Sequence, residues 1–178
     1  ATGAPFMENK ILTIDPQGRI VQAYCKTRPV PGEPSVPGDG RIPVLDTPIG
    51  RLGQVICYDA DFPALMDQLH EQAAHLFVAP SGDWRAISPY HSYMAAARSV
   101  ENGAALLRPA TGGLSLATDP YGRILATDDY FADDRHYLVA DIPMAKVETL
   151  YASWGNWMVI VSGIAFVIGG LGRRLSRY

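Results

Sequence analysis

A layered α/β (or α+β) domain followed by one C-terminal transmembrane helix is the fold class this sequence predicts. Three observations predict it. Short β-branched runs alternate with two stretches of helical length, Pro/Gly/Asp turns join several of those runs, and an uncharged apolar stretch lies near the C-terminus. The 178 residues are 48% hydrophobic and 19% charged, as a packed domain requires. A net charge of −3, with no basic stripe interleaved with aromatics, gives no support to a nucleic-acid partner, and none is expected. The two cysteines, Cys25 and Cys57, are too few for a disulfide framework, and their spacing implies no metal.

Lys10–Ile14 and Arg19–Tyr24 read as two strands joined by the turn Asp15-Pro16-Gln17-Gly18. Residues 27–43 form a loop crowded with Pro and Gly, of a length that compact domains reserve for function. A tight turn at 48–53 leads into the apolar run Gly53-Gln54-Val55-Ile56. Cys57 closes that run and opens the polar turn Tyr58-Asp59-Ala60-Asp61. A strand that stops at a turn lifts one side chain to the rim of a sheet, where a nucleophile is held rigidly and still meets substrate. A small buried core cysteine is the alternative. Helices are expected over 62–71 and 89–103, the second ending at Gly103. Strands are expected at 76–80, 104–108, 114–118 and 137–142, with a hairpin turn at Asp119–Arg123.

From Gly155 to Gly172 the only polar side chains are Asn156 and Ser162. As a helix this stretch is about 27 Å long, close to the thickness of a bilayer core. Tyr151, Trp154 and Trp157 flank one end and Arg173, Arg174 and Arg177 the other, as an aromatic belt and a cytoplasmic basic flank do. Residues 149–178 are therefore expected to hold the span (about 155–172) and a short basic tail, with Tyr178 cytoplasmic and the preceding domain outside the cytoplasm. A buried core helix is the alternative.

Lys26 follows the second strand, Glu33 lies in Pro31-Gly32-Glu33-Pro34, and Cys57 follows the third. After them come Ser81-Gly82-Asp83-Trp84, His91, Arg98 with Glu101-Asn102-Gly103, Gly112-Gly113-Leu114-Ser115 and Asp119-Pro120-Tyr121-Gly122-Arg123. This ordered set, from Asn9 to Ile142, resembles the carbon–nitrogen hydrolase (nitrilase) superfamily. Tyr24-Cys25-Lys26, Ile56-Cys57-Tyr58-Asp59 and Thr149-Leu150-Tyr151 to Gly155-Asn156-Trp157 resemble its membrane-anchored N-acyltransferase branch, which modifies lipoproteins. The resemblance implies part of an α-β-β-α sandwich over residues 1–148, without its N-terminal half. Ala1–Gly18 reads as the middle of a domain, so the chain is expected to be the C-terminal portion of a longer protein.

The resemblance also implies roles. Cys57 is the nucleophile, Lys26 the lysine of a Glu–Lys–Cys triad, and Glu33 the additional supporting glutamate. The Tyr58 amide is a second oxyanion donor beside Lys26. Asp83, Trp84 and His91 are pocket candidates, with capping, packing or a structural histidine as the plain alternatives. No cofactor or metal is implied. The implied partners are a phospholipid acyl donor, a lipoprotein acceptor and the inner membrane. Two departures stand out. The family's general-base glutamate is not found, since Glu8, the only glutamate before Lys26, sits in a strand start. Asp59 stands where that branch carries glutamate. An amidase, or a non-catalytic remnant or partner subunit, is therefore the alternative function.

Overall fold

The computed structural model describes residues 7–175, with side chains as far as residue 169. The chain opens with an antiparallel hairpin of β1 (Lys10–Ile14) and β2 (Ile20–Cys25). Its turn forms as expected, because the Asp15 carboxylate accepts from the Gln17 and Arg19 amides. A second hairpin, β3 (Val44–Thr47) with β4 (Gly50–Gln54), stands where only a loop and a tight turn were expected. Pro43 and Pro48 bracket it and disguise its first strand as loop. A 3₁₀ turn (Cys57–Asp61) follows, then α1 (Pro63–Glu71), β5 (Leu76–Val78), β6 (Ser81–Gly82) and α2 (Tyr90–Asn102). The remainder is β7 (Ala105–Arg108), β8 (Ala110–Thr111), β9 (Leu114–Thr118), β10 (Ile124–Asp129), α3 (Leu150–Trp154) and α4 (Trp157–Leu175).

Six strands form one sheet in the order β10-β9-β7-β5-β4-β3, with β4, β5 and β7 parallel at its centre and antiparallel neighbours outside. Central parallel strands are buried on both faces and read as continuous apolar runs, and Leu76-Phe77-Val78 and Ala105-Leu106-Leu107 do so. α1 buries Leu65, Met66 and Leu69 into the main core with Val55, Phe77 and Leu106. The β1–β2 hairpin is a separate sheet. It packs on the end of the Cys57 strand through Tyr24, Ile56 and Ile11, and Gln54 donates to Thr13.

Two expectations need correction. Residues 137–142 pair with no strand, and Tyr137 and Val139 stand exposed. The closing strand is instead β10, because the Asp119–Arg123 turn folds the chain directly back along the open edge of β9. The segment after it returns across α2, where the Val147 amide donates to the Gly103 carbonyl (2.9 Å). Gly103 is required there: its φ is 63°, and a Cβ would lie 1.7 Å from the Val147 carbonyl oxygen.

The C-terminus is helical, but its helix starts later than expected. Gly155 (φ 55°, ψ −135°) breaks the chain after α3, and α4 begins at Trp157. That leaves an uncharged helical run over 157–172, about 24 Å long. A bilayer core is about 30 Å thick. Among the described residues no helix is long and apolar enough to cross a membrane. Met158, Val159, Ile160, Val161 and Phe166 nonetheless stand exposed around the helix. Arg177 and Tyr178 lie outside the described residues.

Candidate active site

Ligands bind α/β sheets beyond the carboxyl ends of the parallel strands, and the three central strands deliver their following residues to one such rim. Past β4 the ladder continues for two more bonds, from the Val55 amide to the Val78 carbonyl (3.0 Å) and from the Cys57 amide to the Pro80 carbonyl (3.0 Å). The chain then turns at Cys57, whose φ is 49°. A left-handed conformation costs a side-chain-bearing residue about 1–2 kcal/mol. Asp59 holds it in place. Its fully buried carboxylate accepts from the Ile56 amide (3.1 Å), the Tyr24 hydroxyl (2.7 Å) and the Arg28 amide (2.7 Å). Burial raises this carboxyl above its ordinary range despite those three donors. The aspartate that looked like a departure from the family pattern is the residue that fixes the elbow.

Lys26 is clamped through its backbone. Its amide donates to the Asn9 carbonyl, and its own carbonyl accepts from the Gly38 amide, both at 2.8 Å. A Cβ on Gly38 would lie 2.2 Å from the Cys25 carbonyl oxygen, so this approach needs glycine. The buried Nζ contacts Glu33 Oε2 at 2.6 Å. Glu33 also receives Asn9 Nδ2 (3.0 Å), Ser35 Oγ (2.8 Å) and the Val30 amide (2.9 Å). Burial alone would push its carboxyl up, but the donors from Asn9, Lys26, Val30 and Ser35 bring it down to about 2.

A folded-state value below the usual 4.5 means that the charged form stabilises the fold above pH 4.5, and that this support disappears as pH falls from 4.5 towards 2. Thermal melts should therefore show a falling midpoint through that window and a flatter profile in Glu33→Gln. An identical acid slope in the variant would refute the assignment.

Lys26, Glu33 and Cys57 line one cavity of about 680 Å³ with Asn9, Ser81 and Trp84. Glu33 is its only acidic lining residue among the described residues. Glu8 lies outside it, paired with Lys10 at 2.6 Å, so the structure supplies no base glutamate there. Cys57 also lines a second cavity of about 360 Å³ with Tyr58, Asp61, Trp84, His91 and Met94. The nucleophile candidate thus lines both the chamber that holds the Lys26–Glu33 pair and a second, more apolar one. Tyr58 packs its ring edge-on against Phe62, 5.0 Å between centroids.

The pocket candidates are joined by residues the sequence reading did not single out. Asp83, with a fully buried side chain, accepts Arg108 Nη2 on both oxygens (3.0 and 2.9 Å) and His91 Nδ1 on Oδ1 (2.7 Å). Arg108 Nη1 donates to Ser92 Oγ (2.7 Å). Arg108 Nη2 also lies 2.9 Å from His91 Nδ1. Since Nδ1 donates to Asp83, this is an approach of two cations across a shared carboxylate. Burial opposes charge on His91, but Asp61 and Asp83 outweigh it and bring its pKa up to about 9. Gly113 makes room for Asp83, since a Cβ there would sit 2.6 Å from Oδ2. Cys57, Asp83 and His91 each offer a ligand atom within 4.8 Å of the others. With both Asp83 oxygens engaged, the set is an ion cluster of side chains and fits no metal. Arg98 and Glu101 form the expected pair along α2 (2.8 Å). The only signal for Arg108 was a cation ending an otherwise apolar strand, Ala105-Leu106-Leu107.

A mixed α/β domain carries a cysteine on a strained strand-end turn and a buried lysine–glutamate pair in the same cavity. That combination defines a nitrilase-like class. Residues 2–152 match the carbon–nitrogen hydrolase family, and the chain belongs to that family. Among its relatives is an apolipoprotein N-acyltransferase of Nostoc sp., 26% identical over 89% of this chain and 36% of the relative. Another is that of Gloeobacter violaceus, 33% identical over 70% of this chain and 24% of the relative. The chain thus spans about a third or less of the length of these relatives. A solved structure of an amidase variant from Nesterenkonia sp. AN1 matches with a TM-score of 0.66 and 26% identity, over 76% of this chain and 55% of that one. That protein carries the acetamide moiety of fluoroacetamide on its active-site cysteine.

Proposed function

We propose that this chain is the C-terminal portion of a membrane-anchored N-acyltransferase. It moves an acyl group from a phospholipid, through a thioester on Cys57, to the N-terminal amine of a lipoprotein. The observation that carries this reading is the position of Cys57, shared between a cavity holding the Lys26–Glu33 pair and an apolar one. A buried ammonium in the nucleophile's own cavity stabilises the oxyanion of a tetrahedral intermediate. The Tyr58 amide is the second donor. Glu33 fixes the ammonium's position. The thioester divides one difficult transfer into two easier ones.

The exposed apolar residues of α4 suit lipid and cost free energy in water, so the helix seats the site at a bilayer. A short apolar segment is accommodated by local thinning or by snorkelling of flanking residues. With Arg173 and Arg174 on the cytoplasmic side, the domain stands outside the inner membrane. The two acyltransferase relatives support the same reading.

The test is incubation of the full-length protein with phospholipid vesicles, followed by intact-mass and peptide mapping. The expected result is a hydroxylamine-labile acyl adduct on Cys57 and none on Cys25, which is discharged by an N-terminal cysteine peptide bearing a diacylglyceryl group. Absence of any adduct on Cys57 would sink the proposal. The amidase reading is favoured by the Nesterenkonia neighbour. It is distinguished by turnover of small amides without lipid.

A further inference from the structure

Arg19, Arg51, Arg98, Arg108 and Arg123 each stand in an ion pair with a carboxylate. Arg28, an exposed residue, does not. Among the described residues its guanidinium makes no ion pair or hydrogen bond, and it lies over the Phe62 ring, 5.1 Å from the centroid. A guanidinium stacked on a ring is held in place, while the N–H groups in its own plane stay free for oxygen acceptors. The backbone beneath it is held as well. The Arg28 amide donates to Asp59 Oδ1 at 2.7 Å, and the other oxygen of that carboxylate accepts from the Ile56 amide. One buried carboxylate thus fixes both the turn at Cys57 and the backbone of this free cation.

The ring under Arg28 leads to the more apolar chamber of Cys57. Phe62 packs on Tyr58 at 5.0 Å, and Tyr58 and Val30 line that chamber with Trp84, Ile87 and Met94. The one carboxylate among its described lining residues, Asp61, stands 3.2 Å from His91 Nε2. The lining therefore offers apolar and aromatic surface, with its charges already paired. A ligand that suits chamber and rim together is apolar along its length and anionic at one end.

We propose that Arg28 is a phosphate-binding residue of this site, taking the phosphodiester of the acyl donor while the apolar chamber takes its acyl chain. The proposal rests on reading Cys57 as the acceptor of a phospholipid's acyl group, and it names what holds the other end of that lipid. Six single bonds join the outer ester carbonyl of a glycerophospholipid to its phosphorus, a reach of about 7 Å. The two ring contacts that separate Arg28 from Tyr58 are of the same order. With the phosphate on Arg28, the ester carbonyl lies at the Cys57 end of the chamber and the chain runs on past Ile87 and Met94. Arginine suits this task because two N–H groups meet two phosphate oxygens at once, and Phe62 fixes the plane of that fork.

The test is titration calorimetry of the full-length protein with a short-chain diether phospholipid. This probe carries the phosphodiester and both chains but no ester, so binding is read apart from acyl transfer. An uncharged diether glycerol with the same chains is the reference. Arg28→Gln should weaken the phospholipid about tenfold or more, the scale of one lost hydrogen bond to a charged group, and so shrink its advantage over the reference. An unchanged advantage would overturn the proposal. So would an equal weakening of both probes, which is what a merely structural role produces. Arg85 is also exposed and stacked, 4.1 Å over Phe131, and an equal loss in Arg85→Gln would reduce the effect to general surface charge and overturn it too. Inorganic phosphate that binds as tightly as the phospholipid would mark a free-phosphate site instead. Intact discrimination with no acyl adduct on Cys57 would overturn the acyltransferase reading and leave Arg28 a phosphate-binding residue.

Discussion

Lys26→Met should slow acylation of Cys57 by about 10²–10³-fold, the loss typical of removing one donor to a developing oxyanion. The side chain is buried, and Glu33 is its only charged partner among the described contacts. Methionine keeps the aliphatic stem and removes only the charge. The fold should tolerate the change, because Glu33 retains Asn9, Ser35 and the Val30 amide as donors. Stopped-time mass spectrometry of thioester formation, with a thermal melt beside it, separates the two effects. A variant that acylates Cys57 at the parent rate would remove Lys26 from the chemistry.

Arg108→Met should cost about 3–5 kcal/mol of stability, because breaking a buried ion pair from one side leaves an uncompensated charge. Arg108 is 1% exposed and is the largest fully buried side chain among those described. Without it the buried Asp83 carboxylate keeps only His91, and Ser92 loses its donor. Domains are stable by about 5–15 kcal/mol, so much of the total would go. Urea unfolding measures the loss. Adding Asp83→Leu should recover part of it, since the two positions form one network and their effects are not additive. A loss below about 1 kcal/mol for Arg108→Met would contradict this account.

How far the sequence revealed this depends on the kind of signal. Cys57 was legible because a β-branched run ended abruptly at a polar turn. Lys26 and Glu33 were legible through an ordered resemblance, and the structure places both in the cavity of Cys57. The strand β3 was hidden by flanking prolines, and β10 was missed because no apolar alternation marks Thr127-Asp128-Asp129. The network behind the pocket was invisible for another reason. Asp61, Asp83, His91 and Arg108 come from four separate segments, and only the sheet order that places β5 beside β7 brings the last three together. Asp59 read as a weakened match, whereas its three hydrogen bonds hold the turn at Cys57. The span was placed by hydropathy, which does not register the break that Gly155 introduces.

The left-handed backbone at Cys57 has a consequence for the choice of residue there. Glycine would adopt φ 49° without the penalty that a Cβ brings, and its greater freedom in the unfolded chain, about 0.5–1 kcal/mol, offsets only about half of that relief. On backbone terms alone, glycine would be favoured over cysteine at 57. Backbone strain therefore gives no reason of its own for a cysteine at this position.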